Sequence, residues 1–199
     1  LTLLMPEESR IEDIERIMKG ADAAAKKLGV AIVGGHTEVA QGLRGRPPIV
    51  VASAVGLPVS DTVYSSADAK PGDAIIATKG VALEGTAILA EAYKDLVVKE
   101  LGSEFYQRAV KLGDEISVVE EALLLAENEL PNAMHDPTDG GLIEALYELA
   151  EASNTGFRVY EELIPIRGET LKLSRLLSFD PLRLISSGTL IATIPKERV

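Results

Sequence analysis

Two carboxylates and a hydroxyl stand ahead of a glycine pair in Asp136-Pro137-Thr138-Asp139-Gly140-Gly141, and a helical pattern begins at Leu142. Carboxylates in such a turn suit a hard cation such as magnesium. Amides freed at a helix start, beside residues with no Cβ to block approach, suit phosphate oxygens. A second role fits the same residues, because Asp139 or Thr138 would also cap the helix. Two more glycine-bearing turns follow apolar runs. Gly34, Gly35, His36, Thr37 and Glu38 come after the run 30–33, and Gly80 with Glu84, Gly85 and Thr86 comes after the run 74–78. None matches a Walker A or dinucleotide fingerprint. Each has equally the composition of a plain tight turn, and His36 suits either a phosphate contact or a structural hydrogen bond to backbone.

Composition narrows what chemistry these turns can serve. The 199 residues contain no cysteine, which removes thiol nucleophiles, thiolate zinc sites, iron–sulfur clusters and disulfides. Two histidines, His36 and His135, are too few for a multi-histidine metal centre, while a magnesium site built from Asp and Glu stays open. A net charge of −11 repels nucleic acid, and the only basic cluster is Arg44 with Arg46. No run approaches the roughly 18 to 20 apolar residues of a membrane span, and residues 1–10 lack a signal peptide's basic start, so a cytoplasmic protein is expected.

The elements that must position these residues alternate between helix and strand. Residues 1–5 read as the tail of a strand. Ser9 with Glu12 has capping-box spacing, and Ile11, Ile14, Ile17, Met18, Ala21 and Leu28 recur at helical intervals, predicting a helix over 9–28. Gly29 ends it, and 30–33 reads as a buried strand delivering residues 34–38 to its carboxyl end. A further strand is expected over 49–57. The polar stretch 60–72 marks a domain boundary, giving units 1–60 and 61–199. In the second unit the pattern predicts a strand at 74–78, a helix opening at Glu84, a helix over 114–130, a short segment 132–134, a helix over 142–152, a strand at 157–160, a helix over 170–177 and a strand over 188–194. Such alternation implies an α/β fold.

The order of motifs resembles a known superfamily. Val33-Gly-Gly-His-Thr-Glu-Val39, Lys70-Pro-Gly-Asp73, Thr78-Lys-Gly with Glu84-Gly-Thr-Ala-Ile-Leu89, Met134-His-Asp-Pro-Thr-Asp-Gly-Gly-Leu142, and Asp180-Pro-Leu with Ser187-Gly-Thr-Leu190 occur in sequence. Together they resemble the ATP-utilising enzymes that include aminoimidazole ribonucleotide synthetase, the hydrogenase-maturation dehydratase, thiamin-monophosphate kinase and selenophosphate synthetase, with most likeness to the hydrogenase-maturation branch. The resemblance implies a PurM-like architecture with α/β mixed sheets in two domains, ATP and magnesium in the cleft between them, and a homodimer formed through the N-terminal domain. It implies nucleotide contacts from Gly34, Gly35, His36, Thr37, Glu38, Gly80, Gly85, Thr138, Gly140 and Gly141, and metal ligands among Asp136, Asp139 and Glu38. The acceptor whose oxygen is activated is not identified by these motifs.

Departures from the family pattern matter as much. In many relatives an acid follows the first glycine pair, where this chain has His36; a neutral imidazole is no substitute for a carboxylate on magnesium, and Glu38 is the nearest replacement. The dehydratases usually carry Lys at the position of Glu38 and Glu at that of Ser187. They also act on a cysteine of their own C-terminus, and this sequence has none. Family members begin with an aspartate-rich segment ahead of Leu1 and continue past Val199, so a fragment is expected. Two classes follow: an ATP-dependent enzyme of the hydrogenase expression/formation type, or a non-catalytic nucleotide-binding or dimeric partner in hydrogenase maturation.

Overall fold

A computed structural model describes residues 1–58 and 62–199; the start of the polar boundary expected at 60–72 lies outside the described residues. The chain divides into two compact units, Leu1–Leu57 and Pro58–Val199, each with its own three-stranded sheet. The fold is mixed α/β.

In the first unit, β1 (Thr2–Met5) lies between β2 (His36–Val39) and β3 (Ile49–Val51), parallel to the former and antiparallel to the latter. Leu3 and Met5 alternate onto one face and are buried, as a period of two requires. Helix α1 (Ile11–Lys27) starts two residues after the expected position. Pro6 draws Ser9 into a turn through the Ser9 N–H to Pro6 carbonyl bond, so Asp13 rather than Glu12 closes on the helix start by accepting the Arg10 amide at 3.0 Å. The strand expected at 30–33 is absent. Residues 30–35 carry no regular structure, and β1 instead takes His36, Thr37 and Glu38 as its ladder partners, so the second half of the glycine turn is itself the strand. The strand expected over 49–57 stops at Val51, because β1 offers only Thr2 to Leu4 to pair with it.

In the second unit, β4 (Ala74–Ala77), β6 (Ile191–Ile194) and β5 (Ala133–His135) form an antiparallel sheet with β6 in the centre. Both faces are covered. Ile75, Ala133 and Ile191 pack with α6 (Gly141–Ser153) through Leu142, Ala145 and Leu149, while Ile76, Met134, Ala192 and Ile194 pack with α5 (Val119–Glu127) through Ala122 and Leu125. All four residues of β6, Thr193 included, are therefore buried, as expected of a strand covered on both faces.

A separate helical cluster joins α2 (Leu83–Ala92), α3 (Lys94–Leu101), α4 (Ser103–Lys111) and α7 (Gly168–Leu177) around Ala90, Val97, Phe105, Ala109 and Leu173. The helix expected to open at Glu84, with Ala87, Ile88, Ala92, Leu96 and Val97 on its apolar face, is divided at Tyr93 into α2 and α3, and α4 was not expected from the sequence. The helix expected over 114–130 is shortened to α5 by a 3-10 turn at Leu112–Glu115. The strand expected at 157–160 does not form. A groove of about 930 Å³ separates that segment from the outer edge of β4, lined by every residue of 70–77 and of 155–160. Without a partner backbone, an apolar alternating segment has no ladder to join.

Helix α7 is tied to α4 by Arg108 Nε donating to Glu169 Oε1 at 2.9 Å, and this guanidinium holds the Glu169 carboxyl below the usual carboxylate range. A depressed folded-state pKa contributes stability above the unfolded-state value and loses it as pH falls through the folded one. The expected result is that Glu169→Gln narrows the stability difference between neutral pH and about pH 3 in urea titrations. With the Arg108 side chain 56% exposed, the change stays below about 1 kcal/mol.

Candidate functional site

Strand β5 ends at His135, whose Nε2 lies 2.6 Å from Glu148 Oε2 on α6, so the strand and the helix that follows are clamped just before the 136–141 turn. Within that turn Pro137 is buried and anchors the backbone, while Asp136, Thr138, Asp139 and Gly140 are exposed. Gly140 takes φ +76° and Gly141 φ +67°, a left-handed pair that glycine adopts without steric cost. Gly141 has a second reason to be glycine: a Cβ there would stand 2.6 Å from the Leu184 carbonyl oxygen and 2.7 Å from that of Leu182. Helix α6 therefore begins pressed against the backbone of 182–184.

The side chains of this turn are free for a ligand. The N-cap of α6 is Gly140, with no side-chain cap, so neither Asp139 nor Thr138 fills the capping role the sequence left open. The reason is local: Thr138 spends its carbonyl on the Gly141 amide at 3.1 Å and on the Ser186 amide at 3.3 Å. Among the described residues the carboxylates of Asp136 and Asp139 have no hydrogen-bond or ion-pair partner. The amides of Asp139 and Gly140 likewise have none, and they sit at the positive end of a 13-residue helix. Two uncompensated carboxylates beside unpaired donors is an arrangement that a magnesium–phosphate pair would satisfy: the cation takes the acids and the amides take oxygens. Among the described residues no three His, Asp or Glu side chains form a metal-holding group. Magnesium does not require one, since it commonly keeps several waters and uses one or two carboxylates with substrate phosphates.

The other two turns differ from it. The Gly80 amide bonds the Thr78 carbonyl at 2.6 Å, the Val81 amide that of Pro165 at 2.9 Å, and the Ala82 amide the Ser186 hydroxyl at 2.7 Å. Gly85 donates to the Ile185 carbonyl at 3.3 Å, and a Cβ on it would stand 2.4 Å from Leu184 Cγ. These amides are bonded within the protein; a Cβ would clash at Gly85, whereas at Gly80 it would meet only ordinary contacts, 3.4 Å from Arg167 Cγ and the Pro165 carbonyl oxygen. In the first unit a Cβ on Gly35 would stand 1.9 Å from the Leu1 carbonyl oxygen, and the His36 amide donates to that same oxygen at 3.1 Å. His36, Thr37 and Glu38 lie in the β2 ladder. His36 and Glu38 share one face, with Nε2 and Oε2 3.6 Å apart and both side chains about two-thirds exposed, and Thr37 takes the other. The role of these three rests on side chains alone.

Several participants have no signal in the sequence by themselves. Lys79, left-handed at φ +54°, pairs with Glu121 at 2.5 Å and donates to the Ser117 carbonyl at 2.6 Å. Arg167 bonds Glu115 at 2.9 Å beside Gly80. Ser186 and Thr189, both fully buried, connect the Gly80 turn to the 136–141 turn.

Comparison with known proteins bears on all of these residues together. A hydrogenase expression/formation protein of Methanocaldococcus jannaschii is 31% identical over 200 residues, covering 99% of this chain and 56% of the relative. The carbamoyl dehydratase HypE of Azotobacter vinelandii is 30% identical over 195 residues, covering 98% of this chain and 54% of that protein. The chain thus spans about half the length of the curated relatives it matches. Among solved structures, the hydrogenase maturation protein HypE in complex with ATP superposes with a TM-score of 0.71 at 24% identity, over 100% of this chain and 56% of that one, a likeness of fold. The family of AIR synthase related proteins matches twice, its N-terminal domain over residues 1–57 and its C-terminal domain over 70–199, and the chain belongs to that family.

Proposed function

We propose that this chain is the ATP-handling part of a hydrogenase expression/formation enzyme, in which ATP with magnesium activates an oxygen of an unidentified acceptor. The observation that carries it is the 136–141 turn, where two unpartnered carboxylates meet two unpartnered amides at the start of α6. Asp136 and Asp139 would take the metal. The amides of Asp139 and Gly140 would take phosphate oxygens, and Thr138 would offer its hydroxyl. In the first unit, taken by itself, Gly34, Gly35, His36, Thr37 and Glu38 would be nucleotide contacts. ATP supplies the leaving phosphate when bound; this chain's residues hold and orient it. Similarity to HypE supports the reaction class, and the hydrogenase-maturation context points to a maturation partner protein. In the first unit and its matching family domain, we place a partial N-terminal ATP-binding domain over 1–60, with the C-terminal domain over 61–199.

Calorimetric titration with ATP tests this directly. Binding is expected with magnesium and at least about tenfold weaker in its absence, because the acids then face the triphosphate unscreened. Equal affinity with and without magnesium would remove the reading. No helix among the described residues is long and apolar enough to cross a membrane.

A homodimer through the first unit belongs to the same proposal. None of the side chains of α1 is buried, and Val39, Ile49, Val50 and Val51 are 44–59% exposed, leaving apolar surface that a second copy would cover. Light scattering is expected to give twice the 21.2 kDa chain mass, and a Val50→Lys variant to shift it towards the monomer. A monomer at every concentration would count against it.

A further inference from the structure

We infer that Ser186 is a positioning residue for the candidate phosphate turn, tying 136–141 to the strained turn 79–82 so that the two hold their conformation as one unit. The inference rests on the proposed nucleotide role of 136–141 and adds a residue that touches no ligand.

Ser186 bonds in both directions. Its amide donates to the Thr138 carbonyl at 3.3 Å, within the candidate turn, and its hydroxyl accepts the Ala82 amide at 2.7 Å. The hydroxyl also lies 2.9 Å from Thr189 Oγ1, which donates to the Gly80 carbonyl at 2.8 Å. Ser186, Thr189 and Ala82 are all fully buried, so no water replaces a bond that is lost. The turn at the far end is under strain. Lys79 and Ala82 are left-handed at φ +54° and +58°, a conformation that residues with a Cβ hold only when their surroundings over-determine it. The Ser186 hydroxyl on the Ala82 amide is one of those determinants. The Ser186 backbone is meanwhile held by its own chain: Ile185 accepts the Gly85 amide, and Leu182 accepts the amide of Ile143 on α6, at 3.1 Å. The segment 182–186 therefore runs between the starts of α2 and α6. A shift of the Thr138 carbonyl is passed through Ser186 to Ala82.

Amide hydrogen exchange on the 199-residue chain, without ligand, tests the coupling. Ser186→Ala removes only a hydroxyl that points to Ala82 and Thr189. If Ser186 couples the turns, exchange rises roughly tenfold not only at Ala82 but also at Gly141 and Ile143, whose amides bond Thr138 and Leu182. Thr189→Val, which keeps the shape, repeats the test should Ser186→Ala fail to fold, and is expected to give the same spread. Faster exchange confined to 80–82, with Gly141 unchanged in the variant that folds, would overturn the proposal. Magnesium–ATP titration of the same variants separates the two layers. Spread of exchange to Gly141 with no ATP binding even by the parent chain supports the coupling and refutes the nucleotide role, whereas binding weakened roughly tenfold alongside it supports both.

Discussion

Gly141→Ala is expected to destabilise the second unit by about 3 to 5 kcal/mol, while Gly140→Ala, one residue away, costs less, about 2 to 3. The two positions share a left-handed backbone, at φ +67° and +76°, so the conformational penalty of a Cβ is common to both. What separates them is the neighbour. At Gly141 the added carbon would stand 2.6 to 2.9 Å from the Leu184 and Leu182 carbonyl oxygens and the Arg183 carbonyl carbon, all backbone. At Gly140 it would stand 2.5 Å from Glu144 Cβ and 2.8 Å from its Cγ, so the exposed first turn of α6 must shift locally, but no distant backbone stands in the way. Backbone at 182–184 cannot yield without loosening the Ile143 amide bond to Leu182 and the Gly85 amide bond to Ile185. The start of α6 and that of α2 would both loosen. Urea unfolding of the two variants checks this. Equal destabilisation would mean that the start of α6 is free of the 182–184 segment.

What could be read from the sequence follows how local each determinant is. Helix α6 and the turn before it were legible because the glycine pair and the periodicity from Leu142 lie within a few residues of each other, and the observed helix begins at Gly141. Strand β6 falls within the strand expected over 188–194, and all four of its residues are buried. The role of 30–38 was not. Whether 30–33 or 36–39 becomes the strand depends on which segment reaches β1, and β1 chose His36 to Val39 through backbone bonds that say nothing about side-chain pattern. Segment 157–160 has strand composition yet no partner, and composition cannot report a missing neighbour. The glycines divide in the same way. Glycine at Gly85 is explained by close contacts with Leu184 and Ile185, far along the chain, and only the fold reveals them. Ser186 was invisible for the same reason, because the two turns it joins, through Ala82 and Thr138, are distant from it in the chain.

Asp139 is where the structure sharpens a choice the sequence left open. Had Asp139 capped α6, Asp139→Ala would cost ~1 kcal/mol of stability. The cap is Gly140, and the Asp139 carboxylate bonds no described residue, so Asp139→Ala is expected to leave urea stability within about 0.5 kcal/mol of the parent. Two exposed acids separated by Pro137 and Thr138 repel each other weakly, which places any residual change on the stabilising side. The large effect falls on ligand affinity. Removing one of two metal-holding carboxylates, in a site whose remaining ligands are Asp136, water and phosphate, should weaken ATP binding at least tenfold in magnesium and leave it no weaker, or somewhat tighter, in EDTA, since without the cation the acid only repels the triphosphate. Asp139→Asn should behave like Asp139→Ala in both measurements, because an amide keeps the volume and loses the charge. Asp136→Ala should repeat the pattern, as the second carboxylate on the same turn. Calorimetry on the three variants, with and without magnesium, decides the matter. Unaltered magnesium-dependent affinity in Asp139→Ala would move the metal away from this turn, and a stability loss near 1 kcal/mol would return Asp139 to the helix cap.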